Sequence, residues 1–366
     1  MKPFTPRLTC DSCQQPAGLL DWRCAICGGT IIITNLPPFV PGQIVQDEWS
    51  LWRYAAMLPV EKRFSLGEGG TPLVKVDWPG GAFLAKLEYL NPTGSFKDRG
   101  IAILVNHLLQ QGVMEVVEDS SGNAGASLAL YAGAAGIHAR IFAPSSAPAG
   151  KKRLIALNAE LVEVPGPRSA STEACYEAAR QTAYASHAWS PFFVAGQMTA
   201  AWEVWEQLGR RAPDAIVCPV GHGGLFLGFA RGFRALLDAG LIERMPAMIA
   251  VQSASCDPVV RAWQQGRDEP ERAAQNATVA DGIVVTLPTR GREMLAAIRA
   301  TDGAALRVDD DAILRARDML TKRGLLVEPT SAVPVAALEM LRAQIGDSVE
   351  IVVALTGSGL KSLGAQ

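Results

Sequence analysis

The stretch Asn91-Pro-Thr-Gly-Ser-Phe-Lys-Asp-Arg-Gly100 lies between a short apolar run and a segment with helical periodicity. Apolar residues follow it at the spacing of one helix face: Ile101, Leu104, Val105 and Leu108. Ser95, with Asp98 three residues later, approximates a capping box and predicts the start of this helix. Lys97 then falls in the first turn, where the helix dipole disfavours an ammonium group. A lysine that is readily neutral can form a Schiff base, whereas a solvent-facing lysine is the ordinary alternative.

This stretch resembles the Schiff-base segment of the tryptophan-synthase-like pyridoxal phosphate (PLP) enzymes, and most closely that of the threonine synthases. The resemblance implies that Lys97 binds PLP covalently and is the catalytic lysine. Gly67-Glu-Gly-Gly-Thr-Pro-Leu73 is similar to a strand entry of the same family. The similarity covers the chain from about Cys10 to Lys361, with the motifs in family order.

Strand-like and helix-like segments alternate after Lys97, which predicts a parallel sheet. The alternation predicts an α/β protein with parallel sheets flanked by helices. The resemblance implies that this is the two-domain tryptophan-synthase-like PLP fold, fold type II, with twisted sheets. The predicted domains are a zinc-ribbon-like segment at 1–30, a large PLP-binding domain from 31–92 and 195–366, and a smaller α/β domain at 93–194. The resemblance implies an active site between the two larger domains.

Composition excludes several other classes of protein. The 366 residues are 49% hydrophobic and carry a formal net charge of −2, so no nucleic-acid surface is predicted. No apolar run approaches the roughly 20 residues of a membrane span. The N-terminus has no signal-peptide h-region, so we expect a cytoplasmic protein. The resemblance implies a small amino-acid substrate and a homodimer.

Four of the seven cysteines form two CxxC pairs, Cys10 with Cys13 and Cys24 with Cys27. A reducing compartment disfavours disulfides, so paired CxxC motifs indicate metal ligands. Four thiolates can complete a tetrahedral zinc site and leave no open coordination position. The predicted zinc is therefore structural, and many threonine synthases carry a similar N-terminal segment.

Gly221-His222-Gly223-Gly224 follows a buried strand and precedes a helix that we predict to begin near Leu225. Glycines let the backbone approach a phosphate closely, and a helix N-terminus adds its dipole. This turn, including Leu225, is the predicted cradle of the cofactor phosphate. Related enzymes commonly have asparagine in place of His222, so a chemical role for the imidazole and no role at all are both open.

A second strand-to-helix turn is Ser120-Ser121-Gly122-Asn123-Ala124-Gly125. Its hydroxyl and backbone donors suit a carboxylate at a helix N-terminus. The resemblance implies that Asn123 binds the 3-hydroxyl group of the cofactor and that Ser120 and Ser121 bind the carboxylate of the amino acid. Without Lys97, an ordinary helix-capping turn would be the preferred interpretation.

The segment Leu355-Thr-Gly-Ser-Gly-Leu-Lys361 resembles the family segment whose threonine is the partner of the pyridine nitrogen, here Thr356. A hydroxyl partner leaves that nitrogen largely unprotonated, which favours elimination and replacement at the β or γ carbon. Ser358 is the alternative if the register differs by two residues. Glu328 lies in a further segment that resembles the family. It can act near the cofactor ring, or it can simply mark the start of a helix.

The substrate is less well specified. Threonine synthases usually have an Asn-aromatic-Asp-Asp stretch that recognises a substrate phosphate, and this chain has Gly166-Pro-Arg-Ser-Ala-Ser171 there. Arg168, together with Lys151, Lys152 or Arg153, can bind a phosphate instead, because a guanidinium group suits it. A solvated cationic face is the alternative for these four residues.

The activity that the resemblance implies is threonine synthase, which converts O-phospho-L-homoserine and water to L-threonine and phosphate. A serine or threonine ammonia-lyase and a β-replacement enzyme of the cysteate-synthase kind use the same cofactor and are the alternatives. An interaction or regulatory module with a vestigial PLP site is an alternative of another class. The intact Lys97 and the three cofactor loops argue against it.

Overall fold

The computed structural model describes residues 4–147, 149–274, 276–346 and 348–362, except for the side chains of Lys151 and Ser362. The strands are β1 Leu8–Cys10, β2 Pro16–Ala17, β3 Ile31–Ile33, β4 Leu73–Val76, β5 Phe83–Lys86, β6 Glu115–Glu118, β7 His138–Pro144, β8 Glu160–Val164, β9 Ala183–Tyr184, β10 Ala215–Pro219, β11 Ala247–Ser253, β12 Ala304–Val308 and β13 Ile351–Ala354. The helices are α1 Lys97–Gln110, α2 Asn123–Ala134, α3 Ala149–Ala156, α4 Arg168–Ala178, α5 Pro191–Gln207, α6 Gly224–Asp238, α7 Pro258–Gln264, α8 Gly291–Ala300, α9 Asp310–Thr321, α10 Pro329–Ala336 and α11 Leu338–Ile345. Short 3₁₀ helices include Leu51–Met57.

The chain divides into two compact units, each built from separated segments. Among the described residues, the first unit contains 4–69, Asn91–Gly196 and 361–362. The second contains Gly70–Leu90 and Gln197–Leu360. Residues 31–69 thus belong to the first unit, whereas the sequence led us to assign them to the large PLP-binding domain.

A four-stranded sheet with the order β8-β7-β6-β9 forms the core of the first unit. All of its strand pairs are parallel, as the strand–helix alternation predicted. Val117 in the centre of β6 is fully buried and belongs to an apolar cluster with Phe142, Cys175 and Tyr184. The C-terminal end of β6 leads directly into the turn that starts α2.

A six-stranded sheet with the order β12-β11-β10-β13-β5-β4 forms the core of the second unit. Strand β10 is buried at every residue, as expected for a central parallel strand with helices on both faces. The expectation of purely parallel sheets is wrong at one edge, because β4 pairs antiparallel with β5. A short turn at Gly80-Gly81 joins the two strands, and a direct turn of this kind suits only antiparallel neighbours. The α/β architecture itself is confirmed.

A small antiparallel sheet with the order β2-β1-β3 holds the N-terminal cysteine segment in the first unit. Trp22 packs against Tyr176, with ring centroids 4.9 Å apart, and against the edge of Trp189. His107 on α1 places its Nε2 atom 2.8 Å from the carbonyl oxygen of Leu19. These contacts attach the segment to helices α1 and α4.

Helix α4 begins at Arg168, so this residue lies in the first turn of a helix. Pro167 precedes the first helical residue in an extended conformation, and Gly166 adopts a φ of +108°, so the turn ends just before Arg168. Residues 183–184 form β9 instead of extending the helix. A periodic pattern alone does not separate the end of a helix from a short buried strand.

Within the described parts of the chain, no helix is long and apolar enough to cross a membrane.

Candidate active site

Lys97 is the first residue of α1, as predicted. Its Nζ atom lies 4.7 Å from the ring centroid of Phe96 and 5.6 Å from that of Phe193. One turn later Gly100 lies against the ring of Phe193, where a Cβ atom would come within 2.3 Å. This glycine therefore lets α5 pack closely beside the lysine.

The capping interaction predicted for Ser95 is wrong. Its hydroxyl group is buried and has no hydrogen-bond partner among the described residues. Asp98 instead accepts hydrogen bonds from the backbone N–H of Thr93, at 2.6 Å, and from the hydroxyl group of Ser127, also at 2.6 Å. Burial raises the pKa of Asp98 to about 6. Asp98 thus connects the 91–96 turn to α2.

The turn Ser120–Gly125 connects β6 to α2 in the same unit as Lys97. The backbone N–H of Gly122 lies 3.4 Å from the hydroxyl oxygen of Ser120. A Cβ atom on Gly125 would lie 1.8 Å from the carbonyl oxygen of Ser120, so only glycine allows the turn to close. Asn123 is the first residue of α2, and its Oδ1 atom accepts a hydrogen bond of 2.6 Å from Lys361.

Glu118 is the last residue of β6, and Asp119 follows it directly before this turn. Neither residue was among the predicted site residues. Glu118 is buried, and its Oε1 atom lies 2.7 Å from Nδ1 of His187. Asp119 accepts hydrogen bonds from the hydroxyl groups of Thr172 and Tyr184, both at 2.6 Å. Two adjacent acids at the carboxyl end of a parallel strand, before a glycine-containing turn, were the available signal.

The pKa of Glu118 is raised well above its usual value, first by burial and then by the negative charge of Asp119. The positive charges of Arg168 and Lys97 and the backbone N–H of His187 act in the opposite direction. Glu118 is therefore a buried acid that interacts electrostatically with the predicted cofactor lysine.

Arg168, predicted to contact a substrate phosphate, lies at the start of α4 with its Nη2 atom 3.4 Å from Oδ2 of Asp119. Its side chain is partly exposed, at 42%. Lys152 donates a hydrogen bond of 2.6 Å to Glu163. The side chain of Lys151, the other predicted substrate contact, lies outside the described residues.

In the second unit, the turn Gly221–Gly224 leads from the buried strand β10 into α6. Gly223 adopts a φ of +96°, and a Cβ atom there would lie 2.7 Å from Sδ of Met294. Helix α6 begins at Gly224, with Leu225 as its second residue, as predicted within one position. The Nδ1 atom of His222 lies 3.0 Å from the hydroxyl oxygen of Thr289.

Thr356 follows β13 and is buried, with its hydroxyl oxygen 3.1 Å from that of Ser331. The Ser331 hydroxyl also accepts a hydrogen bond of 2.7 Å from the backbone N–H of Gly357. A Cβ atom on Gly357 would lie 2.2 Å from Oε1 of Glu328, so this carboxyl group occupies the space beside the segment. Ser358, the alternative to Thr356, forms an isolated antiparallel bridge with Val327.

The four N-terminal cysteines converge on one point. The Sγ atoms of Cys10, Cys13, Cys24 and Cys27 all lie within 4.8 Å of one another. The Sγ atoms of Cys10 and Cys27 are 3.4 Å apart, and those of Cys13 and Cys24 are 3.5 Å apart. A tetrahedral zinc with Zn–S bonds of about 2.3 Å requires sulfur atoms about 3.8 Å apart. Backbone N–H groups of Cys27 and Ile26 lower the pKa of the Cys24 thiol to about 6.

Known proteins are similar to this chain over most of its length. The family model described as "Pyridoxal-phosphate dependent enzyme" matches residues 64–357. The chain is similar to the threonine synthase of Methanosarcina acetivorans, with 34% identity over 324 residues, which is 85% of this chain and 80% of the relative. It is also similar to the threonine synthase of Methanocaldococcus jannaschii, with 33% identity over 92% of this chain and 87% of the relative.

Among solved structures, the chain is similar to a threonine deaminase from T.th.. The TM-score is 0.67 and the identity 31%, over 79% of this chain and 92% of that chain. An aspartate racemase superposes with a TM-score of 0.69 at 22% identity, over 81% of this chain and 92% of that chain, which supports the fold alone.

Proposed function

Because the chain belongs to the family of pyridoxal-phosphate dependent enzymes, we propose that it is a threonine synthase, which forms L-threonine and phosphate from O-phospho-L-homoserine and water. The observation that carries the proposal is the similarity to threonine synthases from several organisms, at 30–34% identity over at least 84% of the chain. The motifs around Lys97, Asn123, Gly221 and Thr356 support it.

The residues fit the cofactor. The backbone of Gly221, His222, Gly223, Gly224 and Leu225 is the proposed binding site of the phosphate group. The 15-residue helix α6 directs its N-terminal N–H groups and dipole there. The positive φ of Gly223 and the sulfur atom beside it leave room for hydrogen atoms only. A side chain is thus excluded where a phosphate would need the backbone.

The buried hydroxyl of Thr356 is the proposed partner of the pyridine nitrogen. Ser331 accepts a hydrogen bond from Gly357 and holds the segment in place beside Thr356. A hydroxyl group carries no charge and does not keep a ring nitrogen protonated. When bound, PLP supplies an electron sink of the kind suited to elimination and replacement at the β and γ carbons.

Lys97 is the proposed catalytic lysine and the point of covalent attachment. Its Nζ atom would hold the cofactor and, when not so attached, would be the base that accepts the α-proton of the substrate. Asn123 is proposed to donate a hydrogen bond to the 3-oxygen of the cofactor. Ser120 and Ser121 are proposed to bind the carboxylate of the substrate at the start of α2.

Arg168 is the proposed contact of the substrate phosphate, and Lys151 a further one. The half-exposed guanidinium of Arg168 has one long contact with Asp119, so it retains donors for an anion. Lys152 is less suitable, because it is already paired with Glu163 and with the carbonyl oxygen of Ser145.

We propose that Cys10, Cys13, Cys24 and Cys27 bind one structural zinc ion. Four sulfur atoms at nearly tetrahedral separations support this assignment. The four thiolates leave no coordination position for a substrate, so the zinc has no part in the proposed reaction.

A serine or threonine ammonia-lyase is the second candidate, and the similarity to a threonine deaminase at 31% identity favours it. Such an enzyme needs no contact for a substrate phosphate. We favour neither the β-replacement enzyme nor the interaction module, because the solved structures described above support neither one. The homodimer and the cytoplasmic location stay predictions.

The deciding experiment incubates the purified protein, loaded with PLP, with O-phosphohomoserine, L-serine or L-threonine while phosphate and ammonia are both measured. A threonine synthase releases phosphate and threonine from O-phosphohomoserine. Release of ammonia from serine or threonine, with O-phosphohomoserine inert, would support the lyase instead. The variant Lys97→Ala is the control, because it should release neither product.

A further inference from the structure

Glu118 and His187 form a buried acid–base pair near Phe193, whose ring also lies beside Lys97. The pair has no role in the reaction described above. Glu118 is 1% exposed and His187 is 9% exposed. The Oε1 atom of Glu118 and the Nδ1 atom of His187 are 2.7 Å apart, a short hydrogen bond between two groups that both titrate. A purely structural contact can be made by groups without a titratable proton.

The second oxygen of the carboxyl group points to a role beyond this contact. Oε2 of Glu118 is buried and has no hydrogen-bond partner among the described residues. A buried carboxylate oxygen without a donor is costly, by about 1–3 kcal/mol or more. A carboxyl group that carries a proton during part of a reaction cycle incurs this cost only in its ionised form.

The pair and the lysine share their surroundings. The ring of Phe193 lies 5.6 Å from Nζ of Lys97 and 5.9 Å, edge to face, from the imidazole of His187. Lys97 acts electrostatically on Glu118 and favours its ionised form. The same interaction, in reverse, favours the ammonium form of Lys97 whenever Glu118 is ionised.

Other charged and titratable groups face the pair from neighbouring elements. Asp119 on the same segment disfavours ionisation of Glu118, and Arg168 on α4 favours it. Tyr184 on β9 and Cys175 on α4 interact with Glu118, and the pKa of each is raised, chiefly by burial, so both are neutral near pH 7. Among the described residues outside the pair, Lys97 and Arg168 are cations that favour the ionised form of this carboxyl group.

We propose that Glu118 and His187 are positioning residues that share a proton and adjust to the protonation state of Lys97. When Nζ of Lys97 takes up a proton, the proton on Oε1 of Glu118 moves to Nδ1 of His187. The carboxyl group becomes negative and the imidazole becomes positive, so the net charge of the pair does not change. The carboxylate, on which Lys97 acts electrostatically, stabilises the new ammonium group. When Lys97 gives its proton away, the shared proton returns to Glu118. No co-reactant is needed, because the proton only changes its position within the pair.

The inference rests on the proposed role of Lys97, so the first test uses the protein without cofactor. The pKa of the Lys97 amine is measured by competitive labelling with a trace of acetic anhydride across a pH series, followed by mass spectrometry. Glu118→Gln should lower this pKa by about one unit, because a charge near a buried site contributes on that order. Glu163→Gln, which removes an exposed carboxylate of the same unit, should leave it unchanged.

A second variant tests the sharing of the proton. His187→Gln retains a hydrogen-bonding group but accepts no proton, so it should also lower the pKa of Lys97. The double variant should show no larger change than Glu118→Gln alone, because the two residues act as one unit. The pH at which the visible absorbance of the cofactor-loaded protein changes should move in the same direction and order.

An unchanged pKa of Lys97 in Glu118→Gln, or additive effects in the double variant, would overturn the inference. If Glu118→Gln does not fold, an unchanged pKa in His187→Gln has the same consequence. A failure of the proposed function gives another result: the parent protein then releases no phosphate from O-phosphohomoserine. The labelling experiment gives its answer in either case.

Discussion

The Nζ atom of Lys361 donates a hydrogen bond of 2.6 Å to Oδ1 of Asn123. The two residues are 238 positions apart in the sequence, and Asn123 is the first residue of α2. An amide whose oxygen is bound by an ammonium group must direct its NH₂ group elsewhere. Lys361 therefore fixes the orientation of the Asn123 amide, which is the proposed donor to the 3-oxygen of the cofactor.

Replacing Lys361 by methionine should weaken PLP binding about tenfold, because hydrogen bonds to charged groups are worth about 1.5–3 kcal/mol. The measurement is a titration of the PLP-free protein followed by its visible absorbance. Lys322→Met, at an exposed lysine, is the matched control and should bind PLP as the parent does. Equal affinity in both variants would show that the contact of Lys361 with Asn123 does not support cofactor binding.

Arg168→Ala should lower kcat/KM for O-phosphohomoserine by about 10–100-fold, the value of one charge-assisted contact to a phosphate. It should also reduce inhibition by free phosphate, while the absorbance of the resting enzyme stays the same. Arg168→Lys should recover part of the loss, since it keeps the charge but not the guanidinium fork. If Arg168→Ala has the kcat/KM of the parent, the substrate phosphate is bound elsewhere.

Gly223→Ala should reduce the affinity for PLP by at least about tenfold. The added Cβ atom would lie 2.7 Å from Sδ of Met294, and the alanine would have to adopt a φ of +96°. The turn must therefore shift. Gly240→Ala separates the two causes, because Gly240 has a φ of +69° and no atom within 4 Å of its added Cβ. That variant should lose about 1 kcal/mol of stability and bind PLP normally.

Protein purified without chelator should contain about one zinc ion per chain, measured by elemental analysis. The double variant Cys24→Ser/Cys27→Ser should lose the metal and retain the absorbance of bound cofactor. Cys256→Ser, at a cysteine outside the cluster, should retain both. Absence of zinc in the parent would mean that the four cysteines serve another purpose.

His107 should make the stability of the first unit sensitive to acid. Burial lowers the pKa of His107 to about 4, against a usual value of 6.5. The unfolded chain therefore binds more protons, and stability is lost as the pH falls from about 6.5 to about 4. The loss approaches about 3 kcal/mol at most, since each pKa unit is worth about 1.4 kcal/mol.

The measurement is the free energy of unfolding in urea for the parent and for His107→Gln between pH 7 and pH 4. Asp98 changes stability in the opposite direction, because burial raises its pKa to about 6. The difference between the two proteins cancels that contribution, since Asp98 is present in both. A difference that is constant with pH would contradict the assignment.

Local patterns located the helices and strands that carry the motifs, and α6 begins within one residue of its predicted start. The start of α1 at Lys97 followed from the turn residues before it. The hydrogen bond from Ser127 to Asp98 could not be predicted in this way, because the two residues are distant in the sequence. Capping rules describe neighbouring residues only.

Among the chemically important groups, residues in glycine-containing motifs were predictable, since a turn constrains its own sequence. Glu118 had only a weak signal in the sequence, because a charged residue at the end of a strand is ordinarily solvated. Its significance depends on burial and on His187, which is 69 positions away. The long-range connection of Lys361 to Asn123 is of the same kind.

The order of the strands in the six-stranded sheet has a consequence for synthesis on the ribosome. Strand β5 pairs on one side with β4 and on the other with β13, through Leu84 and Val352 among others. The chain between these strands is made before β13 leaves the ribosome. During that time β5 has an unpaired edge, which is prone to pairing with other chains. A chain that stops before β13 is therefore expected to be a substrate for chaperones and proteases rather than a partly active enzyme.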